Sequence, residues 1–163
     1  MTKYLILVMI MFSTNVCADT YIDINGFSKH SQDTYNYQGT TFKFNSQNYG
    51  VGITHTINKN VDFKAGLYHN SYHKVSGYSA ANVNIDFAIK DVTVTPGIMV
   101  GVATGYNDTP MLHSGMLQFM LIPNIGINYK KIGVNFGYIP AGGARAGEIA
   151  VSAVTVQFQY KID

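Results

Sequence analysis

The chain has 163 residues, a formal charge of +2 and only 12% charged residues. That balance leaves no cationic surplus for a nucleic-acid partner, and the length fits a single domain. One cysteine, Cys17, excludes a disulfide framework.

In chain order, Met1–Ala18 reads as a secretory leader. Lys3 is its only charge, Tyr4–Phe12 form the apolar run, and Val16-Cys17-Ala18 offers a cleavage site before Asp19. The run is too short for a comfortable membrane-spanning helix. Cleavage would remove Lys3 and Cys17, take the formal charge from +2 to +1, and leave a mature domain over residues 19–163 without thiol chemistry.

Eight strand-like segments follow: Tyr21–Lys29, Tyr49–Ile57, Val61–Tyr72, Val75–Ile89, Val92–Tyr106, Gly115–Tyr129, Ile132–Ile139 and Ile149–Ile162. In the third, Val61, Phe63, Ala65 and Leu67 share one parity, while Asp62, Lys64, Gly66 and Tyr68 share the other. In the last, Val154, Val156, Phe158, Tyr160 and Ile162 alternate with Thr155, Gln157, Gln159 and Lys161. Successive strand side chains point to opposite faces, so each segment has an apolar and a polar side. The fifth and sixth are apolar on both faces in places, and Pro96 predicts a bulge or a late strand start. Asn58-Lys59-Asn60 and Lys130-Lys131 read as tight turns. Ser31–Asn48, Asn107–Ser114 and Ala141–Glu148 read as longer loops. Short turns at one end and long loops at the other predict an all-β, eight-stranded antiparallel transmembrane β-barrel in an outer membrane, reached by secretion. Two readings of the two-sided apolar stretches stay open: a soluble barrel with an apolar interior, and a lumen with an apolar floor able to hold an acyl chain.

Several landmarks recur in a fixed order. They are Gly26-Phe27-Ser28-Lys29-His30, Tyr49-Gly50-Val51-Gly52, Tyr68-His69-Asn70-Ser71-Tyr72, Leu121-Ile122-Pro123 and Gly137-Tyr138-Ile139-Pro140, with Pro123 and Pro140 seventeen residues apart. From about Gly26 onward the chain resembles the lipid A palmitoyltransferases of the outer membrane, the PagP family. The resemblance implies an enzyme moving an acyl chain, usually palmitoyl, from a phospholipid donor to lipid A at the outer rim of a monomeric barrel. It maps His30 and Ser71 onto the family's catalytic histidine and serine, with Asn70 where the family has aspartate. His30 would act as a base; Ser71 would be a nucleophile or a donor to the ester carbonyl. Asn70 can orient a group but cannot carry charge. The resemblance also makes Pro123 and Pro140 the edges of a lateral slot for lipid, because proline cannot donate to a ladder.

Besides Asn70, the chain departs from the family in four respects: no amphipathic helix fits before the first strand, no proline pair flanks a second opening (Asn25 and Asn48 lie near those places), there is no tryptophan, and the last residue is Asp163 rather than the aromatic common at barrel ends. No cofactor is implied. His69 and His73 would lie about 13 Å apart on a strand, too far to share a metal ion. Gly142–Gly147 lacks the lysine and hydroxyl of a phosphate loop, and Arg145 reads as a solvated loop residue. Two rivals to acyl transfer remain: a non-enzymatic surface barrel serving adhesion or receptor or phage blocking, and a lipid A deacylase.

Overall fold

The computed structural model describes residues 18–37, 39–106, 117–141 and 151–162. The leader through Cys17, the whole Asn107–Ser114 loop and Gly142–Gly147 with Arg145 lie outside them. Eleven strands are present: β1 (Thr20–His30), β2 (Thr34–Tyr37), β3 (Thr40–Lys43), β4 (Gln47–Asn58), β5 (Val61–His69), β6 (Val75–Asn84), β7 (Phe87–Ile89), β8 (Val92–Ala103), β9 (Gln118–Tyr129), β10 (Ile132–Ile139) and β11 (Ala153–Lys161). Eight of them close a ring in the order β1-β4-β5-β6-β8-β9-β10-β11, every neighbour antiparallel, with β11 returning to β1. β7 continues β6 along the same edge of β8, and β2–β3 form a separate hairpin.

The ring is inside out by the standards of a soluble protein. Ile22, Ile24, Val51, Ile53, Leu67, Val83, Ile98, Leu121, Ile125, Ile127 and Phe158 all face outward and are exposed. Asp23, Thr54, Lys64, Asn82, Asn84 and Gln159 are buried inside. An apolar belt of this extent has no stable partner in water, whereas lipid is its natural solvent. The chain is therefore a transmembrane β-barrel, and the soluble reading fails on the direction of the alternation. No helix among the described residues is long and apolar enough to cross a membrane; the chain crosses with strands. Those of the ring have eight to twelve residues, close to what a tilted crossing needs.

Three turns, at Lys59-Asn60, Lys90-Asp91 and Lys130-Lys131, lie at one end with the start of β1 and the end of β11, and the longer connections lie at the other. The Ser31–Asn48 loop contains the β2–β3 hairpin, which no sharp turn motif announced. The segment expected as one strand over Val75–Ile89 breaks at Ile85-Asp86, opposite Thr95-Pro96. Pro96 offers no N–H, so the irregularity it predicts falls on the facing strand while β8 runs straight through. Asp86 accepts from the Thr95 hydroxyl at 2.7 Å and holds the break in place.

A bulge between Asn25 and Phe27 has the larger consequence. Below it, Tyr21, Asp23 and Asn25 face the lumen. One extra residue, Gly26, reverses the parity, so Ser28 and His30 face inward and Phe27 and Lys29 outward. Had the alternation run unbroken through Gly26, without the bulge, His30 would point at lipid.

Val51 lies mid-strand on the outer face, 63% exposed. Val51→Arg should cost about 2–4 kcal/mol in denaturant unfolding from lipid vesicles. A cost near zero would mean that this face is not in hydrocarbon.

Candidate functional site

The long-loop end is organised by aromatic rings. His30, at the end of β1, stacks on Phe44 with centroids 4.2 Å apart and planes 3° from parallel. Phe44 also meets Tyr35 of the hairpin at 4.8 Å and Tyr72 at 5.6 Å. Tyr72 reaches Tyr35 at 4.9 Å and Tyr106 at 6.1 Å. Tyr106 and Tyr68 share a hydrogen bond between hydroxyls at 2.7 Å, and burial pushes the Tyr106 phenol up. Such edge and stacked pairs favour fixed geometry beyond simple area burial, so the hairpin is fastened to the rim rather than waving above it.

Asn70 is fully buried and every one of its hydrogen-bonding positions is used. Its Oδ1 accepts from the backbone N–H of Tyr72 at 2.9 Å and of Lys74 at 3.0 Å. Its Nδ2 donates to the Ser76 hydroxyl at 2.9 Å and to the Gly105 carbonyl at 2.7 Å. Gly105 has φ +82°, and a Cβ there would collide with Ser76 and the Val75 carbonyl, so the approach requires glycine. Asn70 thus ties the β5–β6 turn to the segment after β8. This is a positioning role: the side chain does not line the cavity that Ser71 and His30 line. An aspartate could keep the two acceptor bonds but would lose both donor bonds, which gives the asparagine a physical reason.

Around the ring the seams stay paired almost to the rim, except one. The β9–β10 register ends at Asn124–Gly137. Beyond it, Gln118–Pro123 pair with β8 only, and Tyr138–Ile139 pair with β11 only. By contrast β1–β11 pair to His30–Ala153 and β8–β9 to Ala103–Gln118. Pro123 stands at the point where the seam parts, and Pro140 follows the last residue of β10.

Behind this parting lies a cavity of about 440 Å³. Its rim is His30, Phe44, Ser71, Tyr72 and Tyr106; its side is Met99, Met120, Ile122, Ala153 and Ile139; it reaches Phe119, Leu121 and Pro140 at the wall. Toward the short-turn end it meets Asn25, Lys64, Tyr78, Asn124, Asn135 and Gln157. The apolar lining is therefore a side wall next to the parted seam. The floor is polar, which corrects the expectation of an apolar floor.

Below the floor the lumen is closed by hydrogen bonds. Asp23 accepts from Thr54 at 2.7 Å and from Gln159 at 2.8 Å. Asp62 accepts from Asn84 at 2.6 Å and from Thr56 at 3.1 Å. Asn135 donates to Gln159 at 2.7 Å. Asp62 and Lys64 both face inward, as their parity requires, but do not pair with each other; Lys64 donates to Gln157 Oε1 at 3.1 Å.

Several buried polar atoms on the cavity wall have no hydrogen-bond partner among the described residues: Ser28 Oγ, His30 Nδ1 and Asn48 Oδ1, while Asn25 Nδ2 has only the Tyr78 hydroxyl beside it in poor geometry. Such atoms are costly unless something completes them. The structure thus brings His30 and Ser71 to one cavity, sets Pro140 at its wall and Pro123 at the parting of the adjacent seam, and keeps Asn70 outside it. The Nδ1 of His30 makes no bond to Ser71 or to any other described group. His69 faces outward on β5, and His73 sits in the turn at φ 61° with Nε2 3.3 Å from the Lys43 carbonyl. Sequence reasoning missed Asn25, Ser28, Asn48 and Gln157. Strand parity flags Gln157 as inward; the bulge hides Ser28.

No protein-family model matches the chain, and no curated protein matches it. Among solved structures it is similar to Neisserial surface protein A, at 12% identity and a TM-score of 0.45, over 90% of this chain and 100% of that one. It is also similar to the N-terminal β-barrel domain of Pseudomonas aeruginosa OprF, at 16% identity and a TM-score of 0.37, over 87% of this chain and 97% of that one. At such identities neither likeness bears on activity.

Asn70→Asp should destabilise the barrel by about 2 kcal/mol, since a buried carboxylate would face the Gly105 carbonyl without a donor. Urea unfolding in micelles measures it. A neutral or stabilising effect would contradict the positioning role.

Proposed function

We propose that this chain is an outer-membrane barrel that admits the acyl tail of a membrane lipid sideways into its upper lumen. The observation that carries this reading is the parted β9–β10 seam, which coincides with the apolar side of the cavity. A closed barrel wall is sealed by continuous ladders, and an unpaired stretch facing lipid is costly. Proline at the parting reduces that cost, because Pro123 has no N–H to leave unsatisfied. The outward neighbours Phe119 and Leu121 are exposed and apolar, so a tail leaving the bilayer meets no polar barrier before Met120 and Ile122. The cavity volume is within the usual range for small-molecule sites. Binding alone would serve a non-enzymatic surface barrel, and the packed polar lower lumen is compatible with that.

A second reading, acyl transfer from a phospholipid to lipid A, has one specific observation in its favour. His30 and Ser71 line the rim of the same cavity, and a histidine nitrogen there is unpartnered. A lipid ester held at the rim would lie beside a base and a hydroxyl. In this reading Asn70 positions the turn that carries Ser71 and performs no chemistry.

The chain lacks tryptophan, so a single introduced indole reports alone. Met99→Trp faces the cavity and Val100→Trp faces lipid. In vesicles of phospholipid brominated on its tails, both should be quenched. Quenching of Val100→Trp alone would reject tail entry. For the second reading, mass spectrometry of lipid A from a host lacking its own acyltransferase should show one added acyl chain, lost in His30→Ala and in Ser71→Ala. A mass loss would mark a deacylase; an unchanged spectrum with folded barrel would leave the non-enzymatic reading.

A further inference from the structure

Lys64 is the one described residue whose charge sits inside the lumen at the bottom of the cavity without an acidic partner in contact. It is 4% exposed. The ion pairs among the described residues are Lys29–Asp33 and Lys161–Asp19, both outside the cavity. The ammonium has three donors and one acceptor among the described residues, Gln157 Oε1 at 3.1 Å. Gln157 in turn donates to Asn25 Oδ1 at 2.8 Å and to the Tyr78 hydroxyl at 3.3 Å. With its Oδ1 occupied, Asn25 has its buried Nδ2 beside the Tyr78 hydroxyl, in poor geometry, and no other acceptor among the described residues. Glycines make the arrangement possible: a Cβ on Gly52 or Gly66 would run into the Tyr78 ring.

The floor is therefore rich in donors and short of acceptors in contact with the ammonium, which the Asp23 and Asp62 carboxylates attract only through space. Asp23 and Asp62 do not supply them. Asp62 lies two residues nearer the short-turn end than Lys64 on β5, and Asp23 two residues nearer than Asn25 on β1. The carboxylates are occupied by Thr54 and Gln159, and by Thr56 and Asn84. The Lys64 ammonium is the charge that meets the cavity. An ionisable side chain at membrane depth is expensive unless a partner completes it, and a buried ammonium with unfilled donors favours an anionic acceptor.

We propose that this floor binds the carboxylate of a single-chain fatty acid, held by the Lys64 ammonium and the Asn25 amide, with the tail along Met99 and Ile122 toward the parted seam. The proposal rests on the reading that a tail enters between β9 and β10. It adds a chemical class of ligand and an orientation: head inward, the reverse of a lipid whose head stays at the rim.

The test uses the barrel in vesicles with the Met99→Trp reporter, titrated with palmitate brominated on its chain or with the equally brominated hexadecanol, which has the same tail and no charge. Palmitate should quench at concentrations at least about tenfold lower than hexadecanol. Adding Lys64→Met should abolish that advantage and leave hexadecanol unchanged. Adding Asn25→Asp, which keeps Lys64 but places a negative charge at the head site, should also weaken palmitate alone. Equal quenching by the two ligands in the reporter protein would overturn the carboxylate site and leave tail entry standing. Retained preference for palmitate in folded Lys64→Met would also overturn it. Quenching by neither ligand would overturn tail entry, and this site with it.

Discussion

Everything in this molecule follows from the obligation to pair backbone N–H and C=O groups in a solvent that offers none. Lipid cannot hydrogen-bond a strand edge, so the strands close into a ring and each edge becomes a seam. Antiparallel neighbours joined by short turns at one end meet that demand with little chain. The ring then fixes the two environments of each side chain, hydrocarbon outside and a shared lumen inside. The alternation of Val61, Phe63, Ala65 and Leu67 with Asp62, Lys64, Gly66 and Tyr68 is the imprint of that division on the sequence.

The same obligation makes the β9–β10 seam stand out. It is left open over the rim half of β9, next to the part of the lumen that is apolar rather than polar. The closed seams are bordered by a lumen filled with amides, hydroxyls and carboxylates that satisfy one another. Stability and access are thus separated along the barrel axis. The short-turn half holds two hydrogen-bond networks, one joining Asp23, Thr54 and Gln159 and one joining Asp62, Thr56 and Asn84. The long-loop half is a cavity with unpartnered polar atoms on the β1 and β4 wall. A rim of stacked rings around Phe44 joins the hairpin, β1 and the β5–β6 turn into one body.

Much of the fold is legible in the residues. Strand number, the inward set on β5 and β11, and the turns at Lys59-Asn60 and Lys130-Lys131 all follow from period-two alternation and turn chemistry. The ends of strands are less legible. The third segment was expected to run to Tyr72, but Asn70 turns the chain by accepting from two backbone amides ahead of it. The β2–β3 hairpin escaped because its residues alternate weakly and its stability comes from Tyr35 and Phe44 packing on the distant Tyr72. At the candidate site, His30, Ser71, Pro123 and Pro140 were marked by their motifs. Asn25, Asn48 and Gln157 lie in no motif and Ser28 only beside His30 in one, and their importance arises only where β1, β4 and β11 meet.

By itself the sequence determined that the chain forms about eight strands, each with one apolar and one more polar side. Each strand's apolar parity has to be buried in something, and either the interior of a soluble barrel or the lipid around a membrane barrel would serve. What only the tertiary structure decided is which side of the ring each face takes and where the ring fails to close. The direction of His30 depends on a one-residue bulge at Gly26, seen as a register shift against both β4 and β11. The role of Asn70 depends on reaching Gly105, thirty-five residues away. The opening beside Pro123 depends on the register of β9 against β10 compared with that of its other neighbour. Each of these is a relation between strands, and a relation between strands is fixed by closure of the whole ring rather than by any local run of residues.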